Sequence, residues 1–179
     1  KVMYRREALY FRLVLATGGQ RVAEYIRATW SEINLEAGLW TLPPGHTKNR
    51  RYHVVPLTAT AREILAELWE LDGEEGGHLF PGRRRQGPVP EDWPGRAAKR
   101  LQTGDTPMAY WRASDLRRTW KTRAGEVGLS KEARDRVQNH ALTDVSSEHY
   151  DRYDYLKEKR QALEAWEEAL EAHILGQKS

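Results

Sequence analysis

The sequence predicts a mainly helical domain with one small three-stranded antiparallel sheet. Three short apolar stretches, around 31–35, 39–42 and 52–55, have the length and turn-bounded character of strands. Elsewhere apolar residues recur at helical spacing, most clearly in the last segment, about 155–175. A chain of 179 residues suits one domain, so we assign 1–179 to a single domain.

The N-terminal half is expected to alternate helices with this sheet. A first helix ends near Thr17, because Gly18-Gly19 is a helix stop, and a second begins near Gln20. The segment Glu36-Ala37-Gly38 forms a tight turn between the first two strands. A longer loop, 43–51, then carries a basic run to the third strand.

The C-terminal half is expected to be almost entirely helical. Thr58 is placed to cap a helix that reaches about residue 71. Residues 73–90, rich in Gly, Pro and Arg, are predicted to be an irregular surface excursion. Further helices are predicted at about 91–101, 114–127, 131–138 and 146–153. The final helix places Leu163 and Trp166 on one face and glutamates mostly on the other.

Charge is distributed unevenly along the chain. Residues 1–123 hold 21 Lys and Arg against 14 Asp and Glu, a balance of +7, whereas residues 124–179 hold 8 against 12, or −4. Basic clusters suit a polyanionic backbone, although they also occur as solvated surface charge. The chain has no cysteine and no run of about 18 apolar residues, so we expect a cytoplasmic protein without a membrane span.

Common catalytic motifs are missing from the sequence. It has no Gly-rich phosphate loop, no His-Glu-x-x-His zinc pattern and no Gly-x-Ser-x-Gly elbow. None of the six histidines stands at metal-ligand spacing with carboxylates. We therefore expect no metal and no cofactor. What remains is a concentration of Arg, Lys and Tyr at turns and helix starts.

Those residues fall into boxes that together resemble the tyrosine recombinase family, in its prophage-integrase branch. The boxes occur in the family's order over nearly the whole chain. They are Thr17-Gly18-Gly19-Gln20-Arg21-Val22-Ala23-Glu24, Thr47-Lys48-Asn49-Arg50-Arg51, Asp115-Leu116-Arg117-Arg118-Thr119, Asn139-His140-Ala141 and His149-Tyr150-Asp151-Arg152-Tyr153. This resemblance implies the catalytic-domain fold of a DNA breaking-rejoining enzyme and site-specific recombination through a 3′-phosphotyrosyl intermediate.

The resemblance also implies a catalytic set. Arg21 and Arg117 would grip the non-bridging phosphate oxygens with paired N–H donors. His140 would donate a hydrogen bond to the same phosphate, and Lys48 would protonate the departing 5′ oxygen. Tyr150 would be the nucleophile, its phenol ionising with the help of flanking cations.

Several further residues are expected to support this set. Glu24, three residues after Arg21, would hold that side chain in place. Ser114 stands where the family commonly has a histidine, and it would either position the phosphate or cap the helix that starts there. DNA-backbone contacts are predicted for four basic residues. They are Arg50, Arg51, Arg118 and Lys121.

The implied partner is double-stranded DNA, with a homotetramer on two duplexes and a monomer when the domain is isolated. The last helix would dock on a neighbouring protomer or fold back onto its own domain. The core-binding and arm-binding domains usual in the family are not recognisable, so a piece of a longer protein is expected. Two alternatives stay open: a DNA-binding remnant without catalysis, suggested by Ser114, and a type IB topoisomerase-like relaxing enzyme.

Overall fold

The computed structural model describes residues 4–103, 109–140 and 155–176. Within these ranges, helices surround one small sheet, as the sequence predicts. The elements are α1 (Arg5–Ala16), α2 (Val22–Arg27), β1 (Ile33–Asn34), β2 (Leu39–Leu42), β3 (His53–Pro56), α3 (Ala59–Asp72), α4 (Trp93–Gln102), α5 (Asp115–Glu126), α6 (Lys131–Val137) and α7 (Leu156–Gly176). None of the described helices is long and apolar enough to cross a membrane. The helix predicted at 146–153 lies outside the described residues.

The sheet is antiparallel, with the strand order β1-β2-β3. Trp40 pairs with Ile33 on one side and with Val55 on the other. The first strand is shorter than predicted, since residues Trp30–Glu32 form a 3-10 turn in which the Glu32 carboxylate accepts a hydrogen bond from the Thr29 amide. The Thr29 amide at the start of that turn bonds within it, so pairing with β2 begins only at Ile33.

The core is built around α1, which packs against α3 and α5. Tyr10, fully buried, makes edge-to-face contacts with the rings of Phe11, Tyr25, Phe80 and Trp93. Each such aromatic pair contributes roughly 0.5–1.5 kcal/mol beyond the area it buries. The C-terminal end of α1 is therefore held rigidly by the core, and the turn that follows it leads into the candidate site.

The segment 73–90 is irregular, as predicted, but part of it is anchored. The Leu79 amide donates to the Ala28 carbonyl at 3.0 Å, and the Val89 amide donates to the Phe80 carbonyl at 2.9 Å. Leu79 and Phe80 are buried in the core. These bonds fasten the segment beside the end of α2 and leave the arginine run at 83–85 exposed.

Helix α7 folds back onto its own domain and packs against α6 and β3. The Trp166 indole N–H donates to the Leu15 carbonyl at 2.9 Å. The Glu167 carboxylate accepts the Thr60 amide at 2.7 Å, in the first turn of α3. Thr58 makes no side-chain capping bond, so its prediction as a cap is wrong, and Glu167 satisfies that turn from a distance instead.

Candidate active site

The site begins at the turn after α1, where two glycines allow three segments to meet. Gly18 and Gly19 have φ angles of +82° and +68°, which L side chains rarely adopt. A Cβ on Gly19 would lie 2.8 Å from the Arg117 Cα, and one on Gly18 would overlap the Val137 side chain. The turn can therefore approach α5 and α6 this closely only because these residues lack side chains.

Arg21, at the N-terminus of α2, is fastened to Glu24. The Glu24 carboxylate accepts the Arg21 amide at 2.6 Å and its guanidinium at 3.2 Å. Glu24 is almost completely buried, whereas the Arg21 side chain is about a third exposed. The buried Glu24 carboxylate thus binds both the backbone amide and the guanidinium group of Arg21, whose side chain still faces solvent. The sequence predicts this contact.

Arg117, in the first turn of α5, projects back onto the glycine turn. Its guanidinium donates to the Gly19 carbonyl and to the Gln138 carbonyl, both at 2.7 Å, and lies 2.8 Å from the His140 ring. Burial and the nearby positive charge of Arg21 lower the pKa of Arg117 to about 10. It therefore stays charged at neutral pH, in a place where two guanidinium groups repel each other and favour an anion.

His140 follows α6 and is held between α5 and α6. Its Nε2 faces the Arg117 guanidinium, and its Nδ1 lies 2.9 Å from the Asp135 carboxylate. Burial and the positive charges of Arg117 and Lys121 lower the pKa of His140, although its hydrogen bond to Asp135 acts in the opposite direction. The ring is thus neutral at neutral pH in the protein without ligand.

Lys48 lies on the loop between β2 and β3. Hydrogen bonds hold this loop beside Asn139, the residue before His140. The Asn49 and Asn139 side-chain amides exchange hydrogen bonds at 2.9 and 3.3 Å. The Thr47 hydroxyl donates to the Arg51 carbonyl at 2.7 Å and closes the loop on itself. Lys48 is therefore next to a residue in contact with the histidine box.

Ser114 occupies the N-cap position of α5, but its side chain makes no capping hydrogen bond. The Asp115 carboxylate accepts the Arg112 amide at 2.9 Å, a bond that lies in the turn before the helix. The capping interpretation of Ser114 is therefore wrong. Ser114 is exposed beside the start of α5, three residues before Arg117, where its hydroxyl is accessible to a ligand.

The predicted DNA contacts fall into two groups. Arg50, Arg51 and Arg118 are exposed, and Arg118 lies 3.7 Å from the Asp115 carboxylate. Lys121 differs, because its ammonium group bonds to the buried Asp135 and lies 3.1 Å from the His140 Nδ1. The structure thus places Lys121 with the histidine instead of on the outer surface.

Tyr150 lies outside the described residues. Its flanks are described on both sides: His140 lies ten residues before it, and Tyr155, five residues after it, stacks with its ring 3.1 Å from the Arg136 guanidinium carbon. The chain on each side of Tyr150 is thus fastened at α6.

Two buried glutamines that the sequence did not single out join the segments of the site. The Gln138 amide donates to the Gly18 and Arg117 carbonyls, each at 3.0 Å. The Gln20 amide donates to the Val137 carbonyl at 2.9 Å. Gln20 lies within the first box and Gln138 directly precedes the histidine box. Their position in the sequence therefore suggested the site, but it does not indicate which carbonyl each amide binds.

The geometry gathers positive charge and hydrogen-bond donors at one place. Arg117 and His140 are in direct contact, and Arg21 follows closely after the Gly19 carbonyl that Arg117 binds. The described contacts use three of the five N–H groups of Arg117. Such an arrangement can bind a phosphate group and stabilise extra negative charge on its oxygens.

The chain is similar to known proteins over most of its length. A family model described as the phage integrase family matches residues 2–156. Prophage integrase IntA of Escherichia coli strain K12 is 28% identical over 153 residues, which cover 85% of this chain and 36% of IntA. The chain thus spans little more than a third of that relative's length.

Two solved structures show the same fold. The integrase from mycobacterium phage Brujita superposes with a TM-score of 0.70 at 20% identity, over 92% of this chain and 53% of that one. The Tn1549 transposon integrase, solved in complex with circular intermediate DNA, gives a TM-score of 0.61 at 15% identity, over 90% and 58%.

Proposed function

Because the chain belongs to the phage integrase family, we propose that it is a tyrosine recombinase catalytic domain that cuts and rejoins duplex DNA through Tyr150. The observation that carries this proposal is the contact of Arg117 with His140 beside the turn that leads to Arg21. These groups come from separate parts of the chain, and a phosphate is the ligand that such donors suit best.

Arg21 and Arg117 would bind the non-bridging oxygens of the scissile phosphate. Attack on a phosphodiester gives a five-coordinate transition state with more negative charge on those oxygens, so fixed guanidinium groups lower its free energy. Glu24 and the Gly19 and Gln138 carbonyls hold the two side chains in advance. Little reorganisation is then needed when DNA arrives.

Tyr150 would lose its phenol proton to solvent and attack the phosphorus, forming a 3′-phosphotyrosyl bond as the bond to the 5′ oxygen breaks. Lys48 would give that oxygen a proton, and the exposed Ser114 would add a hydrogen bond to the phosphate. The 5′-hydroxyl of a partner strand would then attack the phosphotyrosine and release Tyr150. Tyr155 lies five positions after Tyr150, and five residues span at most about 18 Å. That tether supports the assignment.

The partner would be double-stranded DNA, contacted through exposed basic residues such as Arg50, Arg51 and Arg118. A relative's structure in complex with DNA supports this partner. We propose a homotetramer on paired duplexes, as in the family, with the domain monomeric in isolation. Since α7 packs on its own domain, exchange of that helix between protomers would first require its release.

The test is covalent trapping from a pool of nicked duplexes with randomised sequence, which requires no knowledge of the target site. Wild-type protein should leave DNA bound to protein after denaturation with detergent. Tyr150→Phe should abolish this adduct, and Tyr153→Phe, the matched control, should retain it. Full adduct formation by Tyr150→Phe would refute the assignment.

The exposed Ser114 stands in place of the usual histidine, and it favours one alternative function: a DNA-binding remnant without catalysis. This alternative predicts salt-sensitive retention of the same DNA pool without any wild-type adduct. A topoisomerase-like enzyme would instead form the adduct and relax supercoiled plasmid without joining strands of two duplexes.

A further inference from the structure

A buried carboxylate on α6, outside the predicted catalytic set, binds three cationic or imidazole groups at once. Asp135 is only 5% exposed. One of its oxygens bonds to the Lys121 ammonium group and to the His140 Nδ1, the latter at 2.9 Å. The other oxygen accepts the Lys131 ammonium group at 3.0 Å. Hydrogen bonds from these groups hold the pKa of Asp135 below its usual range, although burial opposes its ionisation.

The surrounding donors decide which nitrogen of His140 carries the proton. The Arg117 guanidinium can only donate, and it lies 2.8 Å from Nε2, so Nε2 must accept and is unprotonated. In a neutral ring the proton is then on Nδ1, which faces the Asp135 oxygen. The Lys121 ammonium group, 3.1 Å from Nδ1, also can only donate, and it therefore directs its proton to Asp135.

We propose that Asp135 is a positioning residue for the reaction, because it holds His140 in the Nδ1–H tautomer with Nε2 turned towards Arg117. This inference rests on the proposed function, in which the ring takes up a second proton on Nε2 when the phosphate binds. Nδ1–H then stays on Asp135 while Nε2–H donates to the scissile phosphate. Without the carboxylate, Lys121 would donate to Nδ1 and the ring proton would move to Nε2. Nε2–H would then oppose the Arg117 donor, and the ring would turn away from the site.

The charges that face His140 come from two helices in the described part of the chain. Arg117 and Lys121 approach from α5, and Asp135 from α6. Burial and the two cations lower the pKa of His140, and the bond to Asp135 raises it. Removal of the carboxylate therefore lowers that pKa further and disfavours the protonated ring that would donate to a phosphate.

Nitrogen NMR of the imidazole rings in the free protein tests the tautomer without DNA, with His140→Gln used to assign the signals. The wild type should show the Nδ1–H tautomer at neutral pH. Asp135→Ala should shift His140 to Nε2–H, whereas Asp135→Asn, whose amide oxygen still accepts, should keep Nδ1–H with a lower His140 pKa. Lys131→Ala, the matched control, removes another partner of Asp135 and should match the wild type. An Nε2–H wild type, or an unchanged tautomer in Asp135→Ala, would overturn the inference.

The trapping assay separates this inference from the proposed function. Asp135→Ala should slow adduct formation by about 10- to 100-fold, the usual effect of losing a group that orients a catalytic one, and Asp135→Asn should slow it less. If the wild type and Asp135→Ala form the adduct at the same rate, the positioning role of Asp135 is overturned while the recombinase assignment stands. A wild type without any adduct would overturn the assignment, while the tautomer would still be decided by NMR.

Discussion

The substitution Gly19→Ala tests the close packing that assembles the site. An added Cβ would lie 2.8 Å from the Arg117 Cα, a backbone atom that cannot move without shifting α5. Alanine at a φ of +68° costs roughly 1–2 kcal/mol in the folded state. The overlap adds roughly 1–3 kcal/mol, the usual penalty for overpacking a rigid interior. We expect the free energy of unfolding to fall by about 2–5 kcal/mol in total.

Gly76→Ala is the matched control. Gly76 has a φ of +71°, but its added Cβ would meet no heavy atom within 4 Å in the described part of the chain. Both substitutions reduce the entropy of the unfolded chain equally, so that effect cancels between them. Urea unfolding followed by tryptophan fluorescence should show Gly19→Ala to be less stable than Gly76→Ala by about 1–3 kcal/mol. Equal losses would refute the close approach of the turn to α5.

Three further predictions concern the supports of the site. Burial and the positive charge of Lys159 lower the pKa of His53 to about 3 in the folded protein. Between about pH 6.5 and pH 3, His53 is therefore protonated in the unfolded chain but neutral in the folded chain. Stability should therefore fall as pH decreases from 6.5 to 3, by up to about 1.4 kcal/mol per unit, and acid unfolding of His53→Gln should show a shallower slope. Trp166→Ala should lose about 3–5 kcal/mol in urea unfolding. This is more than Trp69→Ala should lose, because Trp69 is 42% exposed and Trp166 only 5%; an equal loss would contradict the docking of α7. Glu24→Gln should slow adduct formation about 10- to 100-fold, whereas Glu91→Gln, in an exposed pair with Arg27, should not; no effect of Glu24→Gln would remove it from the site.

The sequence predicted the elements well because their signals are local. Helical spacing, the stop at Gly18-Gly19 and the hairpin turn at Gly38 each act over a few residues, and the mainly helical fold with its three-stranded sheet is confirmed. Capping was predicted wrongly for both Thr58 and Ser114. A hydroxyl at a helix start is a local signal, but it does not show which acceptor the helix amides use. The Thr60 amide, for example, donates to Glu167, more than a hundred residues away.

The site could be predicted only as a set of boxes. Their order in the chain indicated Arg21, Arg117 and His140, and the contacts among the boxes depend on packing between residues about a hundred positions apart. Gln138 and Asp135 carry those contacts, yet a single buried amide or carboxylate has no periodic pattern that a sequence could reveal. The assignment of roles to these residues stays a prediction until the chemistry is measured.

The identity of the nucleophile can be decided by locating the DNA on the trapped protein with mass spectrometry. Trypsin cuts after Arg136 and Arg152, so Tyr150 lies on the peptide 137–152, while Tyr153 and Tyr155 lie on the peptide 153–157. After nuclease digestion, a nucleotide phosphate should remain on Tyr150 in the first peptide. A nucleotide on the second peptide, or on any other residue, would contradict the assignment of the nucleophile.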